Sequence, residues 1–315
     1  MGNFIKRIPI PIAGVALALA ALANLIVNLN PSILAVFRII SAVIIVLLTL
    51  KVIIAPKAVA EDFKNPVMLS VAPTYSMALM LLGAYVKTLG QNTLAITIWA
   101  LGIIIHVIFI VMYTMRFIVK FDIKKIFPSV FIVYVGIGTA GITAPAFKMI
   151  PVGQASFWFA FASLLVLLPI VIYRVVKIKG IPEAASPTFA IFAAPASLAL
   201  AAYMKSFSDK NLYIVGFLTV LSLVLYTVVI IAMVKLLTLK FYPSFSAFTF
   251  PMVISGIATN GASAFLLKEE YNFGFLKYVV IAQQLIATII VIYILVRYIM
   301  FLFNQSPKVE KTIAK

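Results

Sequence analysis

His106 is the only histidine of the chain, and it stands in the middle of the apolar run "ALGIIIHVIFIV". An ionisable side chain at membrane depth is costly and marks a functional position by default. Proton-linked chemistry is therefore one candidate; with no acidic residue nearby in sequence, a buried hydrogen bond between helices is the other. The second set of residues is uncharged. "FTFPMVISGIATNGASAFL", residues 248–266, holds a proline, two glycines and a run of Thr, Asn and Ser inside a stretch apolar enough for a bilayer. Hydroxyls, amide dipoles and broken helix ends are groups past which an ion can move. Enzymatic chemistry finds no purchase: there is no cysteine, no Ser/His/Asp set, no pair of acids within one apolar run, and no Gly-rich phosphate loop. Nothing here asks for a cofactor or a metal.

The elements that must position these residues are membrane helices. Hydrophobic residues make up 64% of the 315, charged residues 10%, and the mean hydropathy is +1.19. A soluble domain is about 45–50% apolar and about 25% charged. Runs of roughly 20 apolar residues span a bilayer as helices, and ten such runs are expected: 10–29, 32–52, 67–86, 93–117, 129–147, 153–176, 187–204, 211–235, 244–266 and 275–303. The reading is an all-α polytopic membrane protein with one transmembrane domain over 1–303 and a polar tail over 304–315. The net charge of +17 is spread over short loops, which reads as a topology signal and not as a nucleic-acid surface. Lys87, Lys148, Lys205, Lys210, Lys268 and Lys277 fall on one side and Arg38 near the start of the second span; all other Lys and Arg fall on the side of the termini. That side is then cytoplasmic, for a multi-pass protein of the plasma (inner) membrane, with lipid as its surroundings. Tight turns such as "KTLGQN" follow odd spans and longer basic loops follow even ones, so the chain reads as five helical hairpins.

The odd spans carry a repeat. Spans 3, 7 and 9 open on a proline and meet a second seven or eight residues later: Pro66/Pro73, Pro187/Pro195 and Pro243/Pro251. Span 5 opens on Pro128 and has Gly136 at the corresponding place; span 1 has Pro9, Pro11 and Gly14. Even spans are mostly Leu, Ile and Val, interrupted only by Pro169. An internal proline removes a backbone hydrogen bond and kinks the helix, and freed carbonyls in lipid need protein or water partners. The odd spans are thus expected to face inward around a polar path and the even spans to face lipid. The expected pore-lining and kink residues are Pro11, Gly14, Pro73 and Thr74 in the first half of the chain. Gly136, Gly138 and Gly141 come from span 5, and Pro195, Ser197, Pro251 and Ser255 from spans 7 and 9. Ser76, Thr139, Thr143, Thr259, Asn260 and Ser263 are further small polar candidates. No acid sits mid-span in any odd helix, where a cation path usually has acidic rings, so the pattern favours an anion. Phe250, a bulky ring directly before Pro251 among Gly and Ser, could close such a path by steric block. Arg38 reads as a snorkelling residue, Glu269 and Glu270 as solvated surface, and Arg116, Lys120, Lys124 and Lys125 as topology charges or contacts to anionic lipid.

"AFTFPMVISGIAT", "NPVMLSVAP", "SPTFAIFAAPASLAL" and "IPIAGVALALAAL" resemble the ninth, third, seventh and first helices of the tellurite-resistance/dicarboxylate transporter family. These are the TehA-like proteins, related to plant guard-cell slow anion channels. The resemblance implies ten helices with pseudo-fivefold symmetry around a central pore and a homotrimer with one pore per protomer. It implies an aromatic gate, here Phe250, and passage of tellurite, sulfite, nitrate, chloride or C4-dicarboxylates such as malate. Within that family a proton-coupled C4-dicarboxylate carrier, with His106 as the proton site, is the alternative. A ten-span carrier of two five-span inverted repeats is a further alternative, against which the two-span period of the prolines speaks.

Overall fold

The computed structural model describes residues 2–28, 30–271 and 273–304, and every regular element among them is helical. The tail expected over 304–315 lies, beyond Asn304, outside the described residues. A short α1 (Gly2–Arg7) precedes α2 (Ile12–Leu25). Next come α3 (Pro31–Ile54), α4 (Pro56–Asp62), α5 (Pro66–Val71), α6 (Thr74–Thr88) and α7 (Asn92–Tyr113). The second half holds α8 (Val130–Tyr134), α9 (Gly138–Thr143), α10 (Ile150–Tyr173), α11 (Ala194–Ser206), α12 (Leu212–Leu236), α13 (Phe250–Lys268) and α14 (Phe275–Phe303).

Several starts are written in the local sequence. Asn30 and Asn65 stand directly before Pro31 and Pro66, and their side chains accept from Ser32 N and Val67 N, each at 2.9 Å. Asn211 caps α12 by accepting from Tyr213 N at 2.8 Å. A side-chain cap on one of the first free N–H groups, with proline where no N–H is needed, is the favoured helix entry.

Eight helical segments among the described residues are long and apolar enough to cross a membrane, counting α5 with α6 and each of α11 and α13 with the 3₁₀ stretch before it. Their burial divides them. The segments Pro66–Thr88, Glu183–Ser206 and Pro243–Lys268 are 61–83% buried over their most apolar window, whereas Pro31–Ile54, Asn92–Ile118, Ile150–Ile178, Leu212–Leu236 and Phe275–Phe303 are 22–39% buried. The exposed side chains of the second group are Val, Ile, Leu and aromatic residues, as a lipid-facing surface requires. Thr49, Thr97, Ser156, Thr227 and Thr288 each donate to the carbonyl four residues back in their own helix.

The inner segments close on one another. In turn α2 packs on α6, α6 on α9, α9 on α11, α11 on α13, and α13 back on α2. Each outer helix lies against its own inner partner and the next one round: α3 on α2 and α6, α7 on α6 and α8, α10 on α9 and α11, α12 on α11 and α13, α14 on α13 and α2.

The structure departs from the sequence reading in how the odd segments bend. The second prolines do not kink continuous helices. Pro73 is the N-cap of α6, and Pro195 and Pro251 lie in the first turn of α11 and α13. What precedes them is a separate piece: α5, or the 3₁₀ stretches Glu183–Ala193 and Pro243–Phe248. A proline in a first turn removes no intrahelical hydrogen bond, so the interruption falls where it is least costly. Span 5 is interrupted most: α8 and α9 are five and six residues long, a 3₁₀ turn Ala144–Phe147 follows, and Gly136 lies in the gap. Span 1 is shorter than expected, its regular part being α2 after the turn at Pro9–Pro11.

Candidate functional site: two chambers lined by Phe250

Two cavities lie inside the ring. The first is small, about 30 Å³, and is lined at the interruption of every inner segment: Gly14, Thr74, Gly136, Pro195 and Pro251, together with Phe250. That is room for about one or two waters, and its wall is apolar apart from Thr74 and Ser246. The second is about 520 Å³ and is walled by the later halves of the inner segments, with Ala20, Leu81, Ile142 and Ile254 among its apolar lining. Its polar lining comprises Asn24, Thr88, Thr139, Thr143 and Asn260, the phenol of Tyr85, and two cations, Arg38 and Lys205. Phe250 is the one side chain that lines both. A wider depression of about 580 Å³, lined by Lys210, Lys268, Asp209 and Glu269, shares Lys205 and Gly261 with the second chamber and leads outward from it. Neither chamber has a carboxylate in its lining.

The chambers lie where they do because the interruptions meet at one level. A helix break frees carbonyls and N–H groups, and small residues let neighbours come close enough to satisfy them. Ser197 Oγ donates to Ala193 O at 2.8 Å, and Ser255 Oγ reaches Ala193 O and Pro251 O at 3.1 and 2.8 Å. Thr249 Oγ1 donates to Ser246 O at 2.6 Å and approaches Gly14 O at 3.2 Å. Phe250 itself is 7% exposed and makes no ring pair among the described residues, although Phe245 and Phe248, five and two residues earlier, pack edge-on at 5.1 Å.

The residues expected from sequence to line a path thus divide. Gly14, Thr74, Gly136, Pro195, Phe250 and Pro251 come together at the first chamber, and Thr139, Thr143 and Asn260 at the second. Pro11 and Pro73 form the breaks without lining either. Gly138 and Gly141 serve helix packing: a Cβ on Gly138 would touch Leu198 and Ala160, and one on Gly141 would lie 2.9 Å from Ala202 Cβ. Ser197 and Ser255 bridge α11 and α13 with their hydroxyls 3.1 Å apart. Thr259 donates to Ser255 O at 2.9 Å.

His106 is fully buried and lines neither chamber. Its Nε2 lies 3.1 Å from Val133 O and its Nδ1 2.9 Å from Ser76 Oγ. A carbonyl can only accept, so Nε2 carries a proton, while the single Ser76 hydroxyl hydrogen is shared between Nδ1 and Pro73 O, the latter 2.7 Å from Ser76 Oγ. Val133 is near the end of α8, whose last carbonyls lack helical partners. His106 therefore ties α7 to the breaks of two inner segments from behind. Gly136 is held against it: a Cβ there would lie 2.9 Å from His106 Cε1, 2.9 Å from Met77 Sδ and 2.1 Å from Ile132 O.

Arg38 is not a snorkelling residue. Its guanidinium stands 4.4 Å over the ring of Tyr85, Nη2 donates to Asn24 Oδ1 at 3.2 Å, and it forms part of the second chamber's wall. The chamber role of Lys205 escapes the sequence for the same reason as that of Arg38: no local signal distinguishes a basic residue at a span end that meets lipid headgroups from one that turns inward.

The inner segments thus enclose a small, nearly apolar cavity and a wider one whose lining holds two cations and no carboxylate. The chain matches the voltage-dependent anion channel family over residues 7–299 and belongs to it. It is accordingly a multi-pass membrane protein of an anion channel and transporter family, not an enzyme family. No curated protein matches it.

Proposed function

We propose that this protein is an anion channel whose path runs through the ring of inner segments and is closed by Phe250. The observation that carries the reading is that Phe250 alone lines both chambers. An aromatic ring at an apolar neck blocks by size and by expelling water. Helices α3, α7, α10, α12 and α14 shield the five inner segments from lipid, so the whole is ten spans in five hairpins with pseudo-fivefold symmetry. The termini and the first chamber face the cytoplasm of a plasma (inner) membrane, and the second chamber faces outward. The permeant ions are small anions of the class tellurite, sulfite, nitrate, chloride or a C4-dicarboxylate such as malate. The functional unit is a homotrimer with one path per protomer, checked by the mass of the detergent-solubilised protein.

Two alternatives lose support. A proton-coupled carrier would use His106, which lies off the path with both ring nitrogens engaged. A pair of five-span inverted repeats would interrupt odd and even spans alike, yet the interruptions recur in odd segments only.

The test is anion current in planar bilayers for wild type and Phe250→Ala. The variant is expected to carry many times the chloride or nitrate current of the wild type. Silence from both proteins, with each correctly folded, would refute the reading.

A further inference from the structure

We propose that the second chamber contains a carboxylate-binding subsite built on Arg38, with Lys205 as a second anchor on the opposite wall. This deepens the channel reading and rests on it for the direction in which the chamber faces.

Arg38 is already oriented. Tyr85 supports one face of its guanidinium at 4.4 Å, and Asn24 takes one N–H at 3.2 Å. The stacking and the single hydrogen bond hold the plane of the fork, which lowers the rotamer freedom a ligand must otherwise freeze. Its other N–H groups have no acceptor among the described residues, and it makes no ion pair there. A planar fork with parallel donors matches a carboxylate bidentately, which a spherical halide cannot exploit. Arg38 is half-buried in the wall of a cavity of about 520 Å³, enough for a small organic anion.

Lys205 adds the second charge. It lines the same cavity with no hydrogen bond or ion pair among the described residues. It stands on α11, whereas Arg38 reaches the cavity from α3, which packs against α2 and α6. In the closed circuit of inner segments α11 touches α9 and α13, so it stands across the cavity from α2 and α6. With no carboxylate in the lining, the two cations have no internal counter-ion there. Asp209 and Glu269 belong to the wider depression further out. An anion with a carboxylate at one end thus finds a fork at one wall, and a second acidic group would meet an ammonium at the other.

The full-length protein carries the test in two readouts. The first is thermal unfolding in detergent with sodium malate, sodium acetate or sodium chloride at equal ionic strength. The second is inhibition of chloride current by the same carboxylates, added to the side on which the second chamber opens, in a Phe250→Ala background. Malate and acetate are expected to raise the melting temperature above that in chloride, malate more. R38Q should weaken carboxylate binding about tenfold, the share of one bidentate charge-assisted pair at a half-exposed site. R38K keeps the charge but loses the fork, and should not restore carboxylate preference over chloride. N24D places a carboxylate beside Nη2 and occupies the fork from within; it should mimic R38Q without removing the arginine, which covers the case of an unfolded R38Q. Lys205→Gln should reduce the advantage of malate over acetate. Unchanged carboxylate binding in both R38Q and N24D overturns the subsite. If Phe250→Ala carries no current but malate still stabilises the wild type and not R38Q, the channel reading fails and the subsite stands.

Discussion

Replacing His106 by alanine separates a structural clamp from a proton site. The substitution leaves Val133 O, buried at the end of α8, without its donor, at about 1–3 kcal/mol. It also removes the bond to Ser76 Oγ, worth about 0.6 kcal/mol as an average interhelical hydrogen bond in a bilayer, since that hydroxyl already has Pro73 O at 2.7 Å. The void left by a fully buried ring adds about 2 kcal/mol, the low end for large-to-small core changes. The sum is roughly 4–6 kcal/mol, and at about 2 °C per kcal/mol for a chain of this size the melting temperature falls by roughly 7–11 °C. Trp99 reports on the region: its Nε1 donates to Thr143 Oγ1 at 2.8 Å and its ring stacks on Phe147 at 4.7 Å. The assay is therefore thermal unfolding by tryptophan fluorescence, paired with anion flux at several pH values per unit of folded protein. The reasoning expects a large thermal shift and an unaltered pH profile. A melting temperature within about 2 °C of wild type, with the pH dependence of flux abolished, would make His106 a proton site and refute the clamp.

Gly136→Ala should prevent accumulation of folded protein in the membrane, because its Cβ meets Ile132 O at 2.1 Å, a backbone atom that cannot swing away; a well-folded G136A, by size-exclusion profile, contradicts this. Arg174→Ala should leave the chamber residues undisturbed but loosen the side of the molecule near the termini. The Arg174 side chain is 2% exposed and donates to Lys179 O and, at 3.3 Å, to Lys124 O, so it joins two basic loops. Limited trypsin digestion should cut R174A faster at those loops, and equal digestion rates would count against the tie.

Much of this fold is legible because the decisive signals are local. Apolar length marks a span wherever it occurs, since lipid selects each helix on its own backbone needs. Proline and glycine spacing distinguishes inner from outer segments, because an interruption in lipid requires protein around it. The prolines at 73, 195 and 251 were readable as break points, although their place in the first turn of a new helix was not. That depends on whether the preceding residues find 3₁₀ or α geometry against their neighbours, as Glu183–Ala193 and Pro243–Phe248 do.

What sequence alone determined is the class: a helical membrane protein whose odd segments are broken, uncharged at their centres and able to gather around an anion path. Tertiary structure decided which residues share a space. Only the packing of α3 against α2 and α6 turns Arg38 onto Tyr85 and toward the second chamber instead of out to the headgroups. The meeting of α7 with the start of α6 and the end of α8 gives His106 two partners and keeps it out of both chambers. Phe250 stands between two chambers because breaks far apart in the chain come to one level. Hydropathy and helix breaking are properties of a few consecutive residues; a cavity wall belongs to several distant segments at once, and no single stretch encodes it.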